Sequence, residues 1–407
     1  MSSRTLKPRI VYLANVRLPT EKAHGYQICK MCEAFTLNGA EIHLFHPYRR
    51  QVDPHLKGQG VFDYYGIQPI FEIHTVKNLD VVPLSRVVPQ PLFRLMFFIH
   101  AFIWAYYATW VARGYKGDFY YTREATIAFW LTRMGLPTVY EVHVVPERVQ
   151  KWLLKRFARH SALRLVVVLT SFIRDRLLDM GFPPEKIVVW PDAVDLGMFD
   201  PLPSKEECRR QLGLPLERPI IGYIGRFRTM GMEKGIPELI HAVKALPSIN
   251  RVAPLFLAVG GPMESVPVYL DLARRIGVSL DKLRFVDRVP NAEVPCWIKT
   301  FDVAVAPFPQ TDHYAYFMSP LKLFEYMATG VPIVATELPS VREILHHGRN
   351  AWLVPPENPN ALAEGIYHIL KNPDLARRLA RQAQEDVRRY TWKRRAASIL
   401  QHVLGRV

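Results

Sequence analysis

The sequence predicts an α/β protein built from two tandem units, each a parallel sheet with crossover helices. Three observations predict it. Short apolar, β-branched runs alternate with helical patterns along the first half. The second half repeats the plan. Between them, near Asp200 to Leu214, Pro201, Pro203 and charged residues interrupt the pattern.

In the first half the predicted strands are Ile10–Ala14, Glu41–Phe45, Ile70–His74, Phe119–Thr122, Thr138–His143 and Leu165–Leu169. In the second they are Ile220–Ile224, Leu255–Val259, Arg284–Val286, Val303–Ala306, Ile333–Ala335 and Trp352–Val354. The stretch from Asn372 reads as two helices broken at Tyr390-Thr391-Trp392. The expected domains are 1–200, 201–388, and a last helix over 389–407 that crosses back to the first.

Of 407 residues, 49% are hydrophobic and 22% charged, which excludes a disordered, collagenous or disulfide-stapled chain. The net charge of +16 attracts polyanions: nucleic acid, acidic membranes or phosphorylated ligands. No zinc-finger spacing or basic arm supports nucleic acid, and a generally basic surface is the plainer reading. Four cysteines and no visible signal peptide suggest a reducing, cytoplasmic setting. Cys29 and Cys32 form a lone Cys-x-x-Cys inside a helical pattern, Tyr26 to Phe35. They read as ordinary helix residues rather than a redox pair or half a zinc site.

Two segments point toward a surface. Leu95 to Ala112 is 18 residues without Asp, Glu, Lys or Arg. It reads first as a buried or groove-forming helix, then as a face dipping into a membrane interface, and last as a span. In Arg148 to Arg159, Arg148, Lys151, Lys155 and Arg159 share one helical face, and Val149, Leu153 and Phe157 the opposite one. Such a helix suits either solvent or anionic lipid.

Several chemistries are missing. There is no phosphate loop of the Gly-x4-Gly-Lys type, no Gly-x-Gly-x-x-Gly after the first strand, no Gly-x-Ser-x-Gly elbow and no Asp-x-Asp. The first strand leads instead into a loop, Pro19 to Tyr26, with one glycine, Gly25. The second half opens on Gly222-Tyr223-Ile224-Gly225-Arg226, with Lys234-Gly235 following before a helix. Glycines, two cations and a helix N-terminus suit a diphosphate. Phe317-Met318-Ser319-Pro320-Leu321-Lys322-Leu323-Phe324-Glu325 then places a loop before an amphipathic helix. Ser319 and Pro320 are expected as N-cap and first helical residue, with the amides of Met318 to Lys322 free for an anion. A carboxylate at Glu325 can accept two hydrogen bonds from a ribose diol.

On these residues the chain resembles the family 4 retaining glycosyltransferases, which have the GT-B fold: two Rossmann-like domains facing each other across a cleft. The resemblance runs through Pro19 to Gly25, Tyr121-Thr122-Arg123-Glu124, Trp190 to Phe199, the Gly-Arg…Lys-Gly pair and Ser319 to Ala328. It implies that Arg226 and Lys234 hold the donor diphosphate, with Gly225 close by, and that Glu325 binds the ribose. Met318, Ser319, Leu321 and Lys322 would line the donor, Val289 and Pro290 would flank the base, and Gly25 would let the first-domain loop approach. His143 would sit near the transferred sugar. The family's Glu-x7-Glu has lost its first member, since Phe317 stands there. Asp312 and His313 are candidates to replace it.

The expected function is transfer of a sugar from a UDP-, GDP- or related nucleotide-sugar to a glycan or lipid-linked glycan, with retention. No cofactor or metal is expected, no nucleic acid, and a peripheral contact with an anionic membrane is. The alternatives are a phosphorylase or epimerase of the same fold, a polyanion-binding protein, and an inactive homologue that still binds nucleotide.

Overall fold

In the computed structural model, residues 7–145, 148–229 and 231–405 are described. In chain order the elements are β1 (Arg9–Leu13), α1 (Ala23–Leu37), β2 (Glu41–Pro47), α2 (Val61–Tyr65), β3 (Glu72–Val76), α3 (Gln90–Ala112), β4 (Phe119–Thr122), α4 (Ala125–Arg133), β5 (Thr138–Val142), α5 (Arg148–Phe157), β6 (Leu163–Val168), α6 (Ser171–Asp179) and β7 (Ile187–Val189). Then follow α7 (Lys205–Gln211), β8 (Ile220–Arg226), β9 (Arg228–Thr229), β10 (Met232–Glu233), α8 (Ile236–Ala245), β11 (Leu255–Gly261), α9 (Val266–Ile276), β12 (Leu283–Val286), α10 (Val294–Lys299) and β13 (Val303–Ala306). The chain ends with α11 (Leu321–Thr329), β14 (Ile333–Thr336), α12 (Pro339–Arg342), β15 (Trp352–Val354), α13 (Pro359–Lys371), α14 (Pro373–Val387) and α15 (Trp392–Leu404).

These elements form two compact units. The first runs to Pro191 and regains the chain from Trp392, and the second is Asp192–Thr391. Unit 1 holds a parallel seven-stranded sheet, β3-β2-β1-β4-β5-β6-β7. Unit 2 holds a parallel six-stranded sheet, β12-β11-β8-β13-β14-β15. All twelve predicted strands are present. Two features escaped the sequence reading: the short β7, and the antiparallel β9–β10 hairpin.

Alternation along the strands divides each face of the first sheet. Val11, Leu13, Phe45 and Tyr120 meet Trp104, Ala105, Ala108 and Ala112 of α3 and Ile127 and Leu131 of α4. Tyr12, Phe119 and Tyr121 point the other way, where Phe35 of α1 sets its ring edge against Phe119 and Tyr121. Cys29 and Cys32 are buried in α1 and unbridged, and burial pushes both thiols up. That leaves them inert at neutral pH, as helix-packing residues are.

α3 is two-sided. Its alanine-rich stripe is buried, while Leu92, Leu95, Ile99, Ile103 and Trp110 face outward. By length and composition Gln90–Tyr115 could cross a membrane, with a third of its most apolar window buried against the protein. In α5, Leu153, Leu154 and Phe157 are buried, and Lys151, Trp152, Lys155 and Arg156 are exposed. Of the predicted basic face, the side chain of Arg148 lies outside the described residues, as does that of Val149 on the apolar face.

Candidate functional site

Each sheet has a point where the connections leave in opposite directions, and ligands bind at such points outside the carboxyl ends of the strands. In unit 2 this is the crevice between β8 and β13: the chain leaves β8 for β11 on one side and leaves β13 for β14 on the other. Five residues predicted for a diphosphate and ribose, Gly225, Arg226, Lys234, Lys322 and Glu325, sit at that crevice.

Arg226 ends β8. The β9–β10 hairpin then folds the chain back, and the Lys234 amide donates to the Phe227 carbonyl at 3.0 Å. Two cations eight residues apart are thereby placed side by side. Gly235 starts α8 with φ +88°, and a Cβ there would lie 1.8 Å from the Pro307 carbonyl oxygen. Only glycine allows that close passage between the β8 and β13 loops. At Gly225 φ is +116°, and the space a side chain would fill is bounded by the Lys322 ammonium.

The sequence points to the amide of Lys322, and the structure adds its side chain. It is buried, and its Nζ lies 3.5 Å from the centre of the Tyr223 ring. Among the described residues this ammonium has no hydrogen-bond acceptor. Burial, then repulsion from Lys234, drives its pKa well below the usual lysine range, and Glu325 opposes the shift. Burial, then Arg226, brings Lys234 down to about 8. Burial raises Glu325 to about 7, against the pull of Lys322. Burial and Lys234 also lower His313, so His313 lies within the field of this cluster. Burial and then a neighbouring cation lower both lysines, and Glu325 lies in the field of Lys322. Cations gathered in this way suit a polyanion.

The remaining donor-side residues are placed less directly. Val289 packs on the core of unit 2, and Pro290 leads into a 3₁₀ turn beyond β12, at the same end of the sheet. A π-helical turn, His313–Phe317, precedes buried, extended Met318. Leu321 begins α11, whose first amides have no carbonyl partners within the helix. Ser319 departs from expectation. The capping position falls to Pro320, which has no side-chain cap, and the Ser319 hydroxyl accepts the Asp192 amide at 2.8 Å. Its oxygen is spent holding the start of the unit.

In unit 1 the corresponding point lies between β1 and β4. Gly25 is not in a loop, because α1 begins at Ala23. A Cβ on Gly25 would meet the Tyr65 hydroxyl at 2.1 Å, and that hydroxyl is bonded to both the amide and the carbonyl of Thr20. Packing against Tyr65 therefore explains the glycine. His143 follows β5 and bonds through Nε2 to Glu141, which is buried between Tyr121, Arg395 of α15 and Arg123. Burial raises the Glu141 carboxyl, but Arg395, His143 and Arg123 more than offset this and hold it well below the usual range. Burial, then Arg123, brings His143 down to about 3, so the ring is neutral. With Nε2–H on Glu141, the lone pair is at Nδ1. Arg395 could not have been found from the sequence, since it is 254 residues from Glu141.

Two parallel-sheet α/β units, one with an anion-seeking crevice at its switch point, define a GT-B-type protein. Solved structures agree on the fold. A glycosyltransferase from Rickettsia africae superposes with TM-score 0.72 at 17% identity, covering 99% of this chain and all of that one. Anabaena HepE, solved with UDP and glucose, superposes with TM-score 0.69 at 18% identity over 97% and 99%. The family model for Glycosyltransferase Family 4 matches residues 26–197, and that for Glycosyl transferases group 1 matches 218–372. The chain belongs to the family 4 glycosyltransferases. A D-inositol 3-phosphate glycosyltransferase of Thermobispora bispora is 27% identical over 293 residues, 66% of each chain. The match spans about half to two thirds of the curated relatives' length.

Proposed function

We propose that the protein is a retaining glycosyltransferase that takes a sugar from a nucleoside diphosphate donor. The observation that carries this reading is the cluster of Arg226, Lys234 and Lys322 at the β8/β13 crevice, with Glu325 beside it. A diphosphate supplies negative charge to this cluster, and the α11 amides add donors as charge builds on the leaving group. Glu325 takes the ribose hydroxyls, and Val289 and Pro290 flank the base. The bond from the anomeric carbon to the diphosphate breaks as the acceptor oxygen attacks from the same face. The leaving diphosphate oxygen accepts the acceptor's proton, so no Asp-x-Asp metal is needed. With Phe317 in place of a carboxylate, His313 contacts the sugar.

Unit 1 takes the acceptor, positioned by the Nδ1 lone pair of His143. We assign a lipid-linked glycan as that acceptor and a peripheral position on the cytoplasmic face of an anionic membrane. The outward apolar face of α3 and the exposed Lys151, Trp152, Lys155 and Arg156 of α5 support this, at roughly 1 kcal/mol per well-placed cation. Binding to neutral and anionic vesicles alike, or to neither at low salt, would count against it.

The donor reading is tested by thermal-shift titration with uridine, guanosine, adenosine and thymidine diphosphates and their sugar conjugates. One base should stabilise the protein, and Arg226→Ala should lose the effect. Turnover followed by NMR should give a product with the donor's anomeric configuration. Absence of a shift with every nucleotide would overturn the reading.

A further inference from the structure

At the opposite end of the first sheet, where β1 and β2 begin, three side chains converge that the transfer reaction does not use. β2 pairs with the edge strand β3 so that His43 faces Glu72 and Phe45 faces His74. Period-two alternation puts all four on one face. His43 Nδ1 lies 3.1 Å from His74 Nε2 and 3.1 Å from Glu72 Oε2, and His74 Nε2 lies 3.2 Å from the same Glu72 oxygen. The three atoms form a nearly equilateral triangle.

Protons cannot satisfy this triangle. A carboxylate oxygen only accepts, and each imidazole nitrogen either donates or accepts. With one nitrogen protonated, the other sets its lone pair against the carboxylate oxygen. With both protonated, two N–H groups face each other. At least one edge always opposes like to like. The far side of His43 sharpens the conflict. Its Nε2 lies 2.9 Å from Glu41 Oε1, and the Arg9 guanidinium holds Glu41 through two contacts of 3.1 and 3.2 Å. That carboxylate claims the Nε2 proton, so Nδ1 is a lone pair aimed at the Glu72 oxygen. A cation in the centre makes all three contacts favourable at once. The Arg9–Glu41–His43 chain is also the arrangement that orients a metal-bound histidine and makes it a better ligand.

The donor set identifies the cation class. Two imidazoles and one carboxylate suit zinc and the neighbouring first-row divalent ions rather than magnesium or calcium, which prefer oxygen. Zinc bonds of about 2.0–2.1 Å in a tetrahedron put ligand atoms roughly 3.3 Å apart, close to the separations here. Phe45 and Tyr115 wall the site: Phe45 stacks on His74, and Tyr115 packs against both imidazoles. Glu72 is exposed, so a fourth position would be open to water. We propose that His43, Glu72 and His74 form a zinc-type divalent metal site that ties edge strand β3 to β2, at the end of the sheet away from Gly25 and His143.

The test uses the full chain, stripped with chelator and titrated with zinc by calorimetry and with cobalt(II) by visible absorption. One equivalent should bind, with the intense visible bands of a low-coordinate cobalt site, and zinc should raise Tm. Glu72→Gln, on an exposed side chain, and His74→Ala should each abolish the one-equivalent binding and the Tm gain. Glu41→Gln should keep the ligands and weaken binding about 10- to 100-fold. Nucleotide binding should be unchanged in Glu72→Gln, which separates this site from the donor crevice. No saturable zinc binding in the parent chain would overturn the proposal. So would one equivalent held equally well by Glu72→Gln and His74→Ala.

Discussion

The two buried charge clusters are built on opposite principles. In unit 1, Glu141 is enclosed by Tyr121, His143, Arg395 and Arg123, and its charge is met within the protein. In unit 2, burial and then a neighbouring cation lower Lys322 and Lys234, Lys234 acting on the first and Arg226 on the second, and Glu325 opposes the shift at Lys322. A balanced cluster stabilises a fold. An unbalanced one costs stability until a ligand arrives, and that cost is what marks it as a binding site.

The comparison breaks most visibly at Glu141. Glu141→Ala removes the carboxylate from a fully buried arginine that also anchors α15 to the sheet. Loss of one partner of a buried pair costs about 3–5 kcal/mol, so a large drop in denaturant midpoint is expected. The folded pKa is depressed, so the contribution is present above the unfolded value of about 4.3 and is lost as pH falls further. A variant as stable as the parent would show the cluster to be no anchor.

Glu325→Ala should act on the ligand instead. Hydrogen bonds to a charged group contribute about 1.5–3 kcal/mol each, so nucleotide affinity should fall by roughly 2–4 kcal/mol, about 30- to 1,000-fold. Lys322→Met sharpens the contrast, because it should do two opposite things. It removes a buried amine that has no hydrogen-bond acceptor among the described residues and keeps the side-chain volume, so the free protein should gain about 1–3 kcal/mol. It should also weaken diphosphate binding. A Lys322→Met protein that is less stable, with unchanged affinity, would mean the lysine packs rather than binds.

Much of this was legible in the sequence, and what was not has physical reasons. Strand and helix order followed from apolar runs and breaks, because buried parallel strands need continuous apolar residues. The Arg226, Lys234 and Glu325 positions followed from glycines and helix starts. The β9–β10 hairpin was invisible because two-residue strands carry no periodicity. Ser319 has the composition of a cap, but only the fold shows its oxygen on Asp192. Gly25 reads as a loop glycine, and the side chain that crowds it, Tyr65, lies 40 residues on. The burial of Lys322 and the reach of Arg395 depend on neighbours distant in the chain. His43 is separated from Glu72-x-His74 by a whole crossover, so no ligand spacing shows in the sequence.

The smallest effect tests the donor cluster without mutation. Glu325 titrates at about 7 and Lys234 at about 8 in the free protein. Below pH 7 the protonated carboxyl loses an acceptor for the ribose, and affinity should fall. Above pH 8 Lys234 loses the proton that meets the diphosphate, and affinity should fall again. The optimum should therefore lie between pH 7 and 8, with a loss of roughly tenfold one pH unit beyond either value. Because a bound diphosphate favours the charged lysine, binding at pH 8.5 should take up protons, visible as a dependence of calorimetric enthalpy on buffer ionisation heat. The Glu141 cluster stays charged and paired through this range, so stability should not follow the same curve. A flat affinity profile from pH 6 to 9 would mean that neither Glu325 nor Lys234 touches the nucleotide.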